Sequence, residues 1–354
     1  MHPLDAVGEG LRNLRAGTGR PVVTTIALLA CAAVLLGLEL GSLKALLESA
    51  RAFRAAGGAV TILETRGQVD GAACHALRGI SGIDAAAVTI TGLQVRSAQL
   101  PQQPLPLVRA TSGLADLLGI TPNGVGVWIS TDTAEQLGVD VGSPLVLDGQ
   151  ATRVAAIFDY PDDGRRPVLG YAIVEPAIAM GPFDECWGSS WPMNPGIQPL
   201  LLSSAYLPAV EQGQVRFSQL NGTLGVGFDG SEQFLRRPTS WSWLAAAVAG
   251  FGVGLGGWRL RRLELASARH AGVSRSALWL TAMVETGAVL AIATSCCAAI
   301  TMWRLQSLPA PDVMACLPFA GRIVVALAFG CVTGTTFGVV TVRERHLFDY
   351  FKRR

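Results

Sequence analysis

The sequence predicts a four-helix transmembrane protein with a large α+β extracytoplasmic domain inserted between the first and second spans, on three observations. Charged residues make up 15% of the 354-residue chain, against roughly 25% in soluble domains, and the mean hydropathy is +0.40, so a lipid-embedded part is expected. Residues 22–40, 241–258, 277–303 and 322–342 are each long and apolar enough for a span, which takes about 20 such residues, and nothing between residues 43 and 238 qualifies. The basic residues cluster before the first stretch (Arg12, Arg15, Arg20), between the second and third (Arg259, Arg261, Arg262, Arg269, Arg275) and after the fourth (Arg343, Arg345, Lys352, Arg353, Arg354). One topology satisfies all three clusters: a multi-pass protein of the inner or plasma membrane with both termini and the middle loop in the cytoplasm.

Residues 1–21 form the cytoplasmic approach to the first span, 22–40. That segment, with its basic residues ahead of an apolar core, could also be a signal peptide, but it is expected to be a span because Glu39-Leu40-Gly41-Ser42 offers no small-x-small cleavage site. Leu43, Leu46, Leu47, Ala50 and Phe53 then recur at helical spacing, with Lys44, Glu48, Arg51 and Arg54 on the other face, predicting a stalk helix over 41–58 that ends at Gly57-Gly58.

Residues 59–237 read as a mixed domain with strands near 59–63, 86–90, 105–110 and 125–129 and helices over 70–78 and 112–118. Ser130 or Asp132 caps a short helix that Gly138 ends, and residues 144–147 and 151–158 flank the favoured Asp148-Gly149 turn of a hairpin. The Pro/Gly/Trp-rich stretch 181–199 reads as a long loop, with strands resuming at 200–203 and 224–228. Residues 259–276 form the middle loop, 304–321 a short external loop and 343–354 a basic tail. Trp241, Trp243, Trp258, Trp279 and Trp303 mark span ends, where indoles suit the headgroup level.

Counting limits the chemistry. The external domain contains a single histidine, His75, so a multi-histidine zinc site there is excluded, and no nucleophile-elbow motif accompanies it. The acidic turn 159–164 lacks the spacing of a calcium loop, and no metal site is expected. No Gly-x-x-x-x-Gly-Lys-Ser/Thr motif is present, so the chain has no P-loop of its own and is not expected to be an enzyme. Charge of 28 Lys+Arg against 26 Asp+Glu argues against a nucleic-acid partner.

Gly250, Gly252, Gly254 and Gly256 resemble a dinucleotide fingerprint but lie in a span. There they make two small-xxx-small pairs for close helix packing, within one chain or between protomers. Cys74 and Cys186 are the cysteines of the exported domain and are expected to form a disulfide, the alternative being two free thiols. Asn221-Gly222-Thr223 is a formal glycosylation sequon. Glu39 is close enough to the outer surface to be interfacial. Glu285 lies two turns into the third span, where pairing with an arginine or a helix terminus is as good a reading as a transport role.

The layout of one helix, a large external domain and three further helices resembles the permeases of the MacB/FtsX (type VII) class of ABC transporters. Leu4-Asp5-Ala6-Val7-Gly8-Glu9-Gly10-Leu11-Arg12-Asn13-Leu14-Arg15 is similar to that family's amphipathic helix before the first span. Glu264-Leu265-Ala266-Ser267-Ala268-Arg269-His270-Ala271-Gly272-Val273-Ser274 resembles its middle-loop motif, with His270 in place of a small residue, and Glu285 follows where the family often has a glutamate. Ala134-Glu135-Gln136-Leu137-Gly138-Val139-Asp140-Val141-Gly142 resembles a stretch of the MacB-type periplasmic core domain.

The resemblance implies that Glu264, Arg269, Gly272 and Ser274 belong to a coupling helix docked on a separate cytoplasmic ABC ATPase, which holds the ATP and magnesium. It implies a second permease protomer, identical or different, and mechanotransmission for the export or extraction of a peptide, drug or lipid-like substrate. An extracellular accessory protein is compatible with it. The alternative is an FtsX-like scaffold that regulates an extracellular cell-wall enzyme. Without the resemblance, the basic middle loop reads equally as a binder of membrane lipid headgroups.

Overall fold

The computed structural model describes residues 3–18, 20–90, 92–225 and 227–342; the expected basic tail, 343–354, lies outside them. The chain divides into two compact units, one of Met1–Leu47 with Gly230–Arg354 and one of Glu48–Asp229. Helix α1 (Pro3–Ala16) is followed by α2 (Pro21–Ala55), whose proline stands at the first helical position, where no N–H is needed. The expected span 22–40 and stalk 41–58 are therefore one helix. Its 35 residues reach about 52 Å, against about 30 Å of hydrocarbon. Gly57, at φ 76, stops it, and the Gly58 amide turns back to the Phe53 carbonyl at 3.0 Å.

The second unit is a mixed sheet with short helices. In chain order it contains β1 (Val60–Asp70), α3 (Gly71–Ala76), β2 (Ile83–Thr89), β3 (Gln94–Val95), β4 (Leu105–Thr111), α4 (Gly113–Leu118), β5 (Val127–Ser130), α5 (Thr131–Leu137), β6 (Pro144–Leu147), β7 (Gln150–Phe158), β8 (Ile173–Ala177), β9 (Pro182–Ser190), α6 (Ile197–Leu202), α7 (Leu207–Glu211) and β10 (Arg216–Gln219). The strands order as β10-β1-β9-β2-β4-β8-β5-β7-β6, with β3 on β4. Local chemistry matches expectation where it is self-contained. Ser130 caps α5 by accepting from the Thr133 amide, and Gly138 ends it at φ 64. Asp148 and Gly149, at φ 47 and 80, make the left-handed turn that suits a two-residue hairpin.

Three expectations are corrected here. The stretch 181–199, expected as loop, contains β9, which pairs with β1 on one side and β2 on the other. The run expected as a strand at 200–203 instead closes α6, which ends at Leu202, because Ile197 and Leu201, four apart, bury one face of it; a short apolar run does not distinguish helix from strand. No strand lies at 224–228 among the described residues, where a 3-10 turn spans Gly222–Leu224 instead; the last strand is β10. Side chains alternate about the sheet, so Ile62 and Trp187 enter one core while Leu63 and Cys186 enter another. Cys186 is bonded to Cys74 on α3 with their Cα atoms 5.9 Å apart. Replacing both by alanine is expected to lower the stability of this unit by about 2–5 kcal/mol, measured as an earlier urea midpoint for the full chain in detergent.

The chain re-enters the helical unit after Asp229, where the sequence placed the boundary at 237. Helices α8 (Gly230–Leu235), α9 (Ser242–Leu260), α10 (Arg262–His270), α11 (Arg275–Leu305) and α12 (Ala310–Val340) follow. The expected external loop 304–321 is corrected to the few residues between Leu305 and Ala310. Pro318 lies inside α12, a position tolerated in bundles whose neighbours and hydroxyls satisfy the freed carbonyl. Among the described residues α2, α11 and α12 are long and apolar enough to cross a membrane. The second segment, 241–258, is helical in α9 but diluted by glycine.

Glycine sets the approach of α9 to α12. A Cβ at Gly250 would lie 2.1 Å from the Leu327 carbonyl oxygen, and one at Gly254 2.3 Å from that of Cys331. From the other side, Gly330 and Gly334 face the carbonyls of Ala247 and Phe251 at 2.0 and 2.2 Å. Only glycine permits contacts this close. Gly252 and Gly256 meet nothing within 4 Å, so the two pairs on α9 serve different faces. The complementary Gly330-xxx-Gly334-xxx-Gly338 of α12 was legible in the sequence at the same four-residue spacing.

Candidate functional site

Glu285 sits on the buried face of α11, and its two carboxylate oxygens are bonded to two other elements. Oε2 accepts from Arg261 Nη1 at 2.5 Å, and Oε1 accepts from Asn13 Nδ2 at 2.8 Å. Asn13 belongs to α1, and Arg261 stands at the junction of α9 and α10. The arginine is fixed further by Glu264 Oε2, 3.0 Å from its Nε, and by the Trp258 ring, 4.6 Å from its guanidinium carbon. With both oxygens engaged and the pair largely buried, the site is arranged for holding elements together rather than for carrying protons.

Helix α1 lies along α11 around this cluster. Thr281 Oγ1 donates to the Ala6 carbonyl at 3.2 Å. Gly10 brings the α1 backbone against Val284, where a Cβ would be 3.0 Å from its side chain. A cavity of about 460 Å³ opens beside the cluster, lined by Glu9, Asn13, Glu264, Leu265 and Ala268.

Of the four residues assigned to coupling, two lie at the ends of α10 and two in the turn after it. Glu264 is in its first turn, favourable for an acidic side chain, and Arg269 is in its last. Arg269 Nη1 donates to the Val342 carbonyl at 3.0 Å, just past the end of α12. Gly272, at φ 88, reverses the chain after α10, and Ser274 caps α11 by accepting from the Ala277 amide at 3.2 Å. The structure thus gathers Glu264 and Glu285 around Arg261. Gly272 and Ser274 shape the turn between α10 and α11. Arg261 and Asn13 are members of the cluster that sequence reasoning did not single out, although Asn13 lies within the stretch from Leu4 to Arg15 that resembles the family's amphipathic helix.

Within the sheet unit, the last turn of α2 is held by two side chains. Arg165 Nη2 donates to the Ala55 carbonyl at 3.1 Å, and Asn221 Nδ2 donates to the Ala56 carbonyl at 3.0 Å and to that of Asp163 at 3.1 Å. These bonds satisfy carbonyls that a helix end leaves without partners. Phe53 packs on Phe228, and Arg54 lies over Trp191. Asn221, the sequon asparagine, is fully buried with its amide engaged, a structural position that excludes a glycan. Asn221→Ala is expected to cost about 2–4 kcal/mol and to loosen hydrogen exchange at residues 53–58, measured by mass spectrometry.

The acidic turn is occupied by its own neighbour. Arg165 donates to both carboxylate oxygens of Asp163, at 2.8 and 2.7 Å, and these bonds hold that carboxyl below the usual carboxylate range. His75, on α3 beside the disulfide, has a buried Nδ1 with no hydrogen-bond partner among the described residues. Glu39, expected to be interfacial, is buried in the helical unit and accepts from Ser242 Oγ at 3.1 Å.

No family model and no curated protein matches the chain. Among solved structures it is similar to the periplasmic region of MacB from Actinobacillus actinomycetemcomitans, at 10% identity and a TM-score of 0.35, over 49% of this chain and 92% of that one. It is also similar to the extracellular domain of the noncanonic ABC-type transporter YknZ from Gram-positive bacteria, at 14% identity and a TM-score of 0.32, over 46% of this chain and 100% of that one.

Proposed function

We propose that this chain is the membrane subunit of an ABC transporter that works by mechanotransmission, with α10 docking on a separate cytoplasmic ATPase. The observation that carries the reading is the Glu285 cluster, in which one buried carboxylate binds α1 and the start of α10 to α11. An element docked at α10 acts on the helices through Arg261 and Glu285, and ATP binding needs only to favour one arrangement of the helices over another. Helix α2 then carries the bias outward, since it runs unbroken from Pro21 to Ala55 and its last turn is bonded to the sheet unit. The motifs around Asn13 and from Glu264 to Ser274 support the same assignment. In this reading α9 completes a four-span bundle with both termini in the cytoplasm, two protomers associate, and the exported or extracted substrate is a peptide, drug or lipid-like molecule that need not cross the bilayer through the chain.

The test is a pull-down of the tagged protein from native membranes with an ATPase assay on the eluate. A stoichiometric ATPase whose activity depends on this chain is the expected result, and recovery without any ATPase in mild detergent rejects the proposal. In the recovered complex, Gly272→Pro, which forbids the left-handed turn after α10, and Glu264→Arg, which reverses the charge at its start, are each expected to lower ATPase stimulation by about tenfold or more, while the sheet unit stays folded by its disulfide and its unfolding midpoint. Unchanged stimulation in both variants removes α10 as the docking element.

A further inference from the structure

A second charged site lies in the helical unit, at the end of the bundle where α2 leaves it and α9 returns. A cavity of about 200 Å³ is lined there by Arg237, Arg322, Trp243, Phe319, Ser240 and Glu39. Arg237 is buried, with its guanidinium carbon 4.0 Å from the centre of the Phe234 ring and 5.4 Å from that of Phe319. Its Nε donates to the Phe234 carbonyl at 3.0 Å. Its Nη1 lies 3.5 Å from Glu39 Oε1 but makes no hydrogen bond among the described residues. Glu39 divides its charge, since its other oxygen is taken by Ser242.

Arg322 sits opposite, on α12, and is exposed on the outer face of the helices. Its guanidinium carbon is 4.8 Å from the centre of the Trp243 ring, and no acidic side chain pairs with it among the described residues. Two arginines against one carboxylate leave the cavity one positive charge in excess. An arginine at the edge of a lipid-facing helix without a counter-ion is costly, and the indole beside it marks the headgroup level. The planar donor fork of arginine matches phosphate oxygens.

We propose that this cavity binds the phosphate of a membrane phospholipid headgroup, with Arg322 as the principal donor, held by its stack on Trp243, and the Arg237 guanidinium, beside Glu39, adding positive charge from within. The apolar wall of Phe234, Phe319 and Ile323 favours a lipid source over a soluble phosphate, because the cavity takes the headgroup and leaves the acyl chains to the surrounding lipid. The inference rests on the membrane reading of α2, α9 and α12 and not on an ATPase partner, so a pull-down without an ATPase leaves it standing.

The experiment uses the full chain in dodecyl maltoside, with retained lipid counted by native mass spectrometry and affinity measured by titration. Dioleoylphosphatidylglycerol is expected to be retained and dioleoylglycerol, which lacks the phosphate, is not. Arg322→Gln is expected to weaken phosphatidylglycerol binding by about tenfold with an unchanged unfolding temperature, as befits an exposed residue, and Arg322→Lys, which keeps the charge but not the planar fork, to recover only part of the loss. Trp243→Leu, which removes the platform and no charge, is expected to weaken binding several-fold. Equal binding by the wild type and Arg322→Gln, or equal retention of dioleoylglycerol, overturns the proposal. Displacement of the bound lipid by inorganic phosphate at lower concentration than the lipid itself overturns the lipid source.

Discussion

Glu285→Ala is expected to destabilise the helical unit by about 3–5 kcal/mol, because it leaves Arg261 buried without its counter-charge. The arginine retains only Glu264, which is itself largely exposed, and Asn13 loses the acceptor that joins α1 to α11. Glu285→Gln keeps an acceptor for Asn13 and is expected to cost less than alanine. The double variant Arg261→Met, Glu285→Met is expected to recover much of the loss, since an apolar pair of similar volume removes the desolvation cost of both charges. Thermal unfolding in detergent, followed by tryptophan fluorescence, reads all three. ATPase stimulation separates stability from coupling. The double variant is expected to fold yet stimulate poorly, whereas a carboxylate that only stabilises the fold predicts full stimulation from it.

The second large effect is expected from Gly254→Leu. Its Cβ alone would meet the Cys331 carbonyl at 2.3 Å, so α9 and α12 must separate, and overpacking of this kind costs about 1–3 kcal/mol or more. The spacing between those helices is set by backbone on both sides, with Gly330 and Gly334 reciprocating, and no side-chain rotation relieves the clash. Gly252→Leu, on the open face of the same helix, is the control. Within a single chain it is expected to change stability by no more than about 0.5 kcal/mol. If it instead lowers the molecular mass of the detergent-solubilised complex measured by light scattering, that face joins two protomers.

The parts of this protein legible in the sequence are those whose cause is local. The N-cap Ser130, the stop at Gly138 and the Asp148-Gly149 hairpin need only the residues themselves and their neighbours. The apolar stretches now in α2, α11 and α12 were legible for the same reason, since length and hydropathy alone decide whether a helix can satisfy its backbone in lipid. Strand β9 was not legible, because Pro182, Asp184, Glu185 and Gly188 carry no strand pattern. What makes that segment a strand is the edge of β1 on one side and of β2 on the other. Glu185 is acceptable there only because Arg166 and the Trp187 indole bond it, and neither partnership is written in the spacing.

The candidate site divides in the same way. The sequence by itself determined that an acidic residue stands inside the third apolar segment, that glycines recur every fourth residue in the second, and that two cysteines lie between the first and second. Tertiary structure alone decided which partners they have: Arg261 and Asn13 for Glu285, α12 for Gly250 and Gly254 but not for Gly252 and Gly256, and β9 as the strand that brings Cys186 to Cys74. The reason is physical. A helix or turn forms from interactions within a few residues, whereas the pairing of a buried charge or the closest approach of two helices depends on groups far apart in the chain, 272 residues for Asn13 and Glu285, and only packing brings those together.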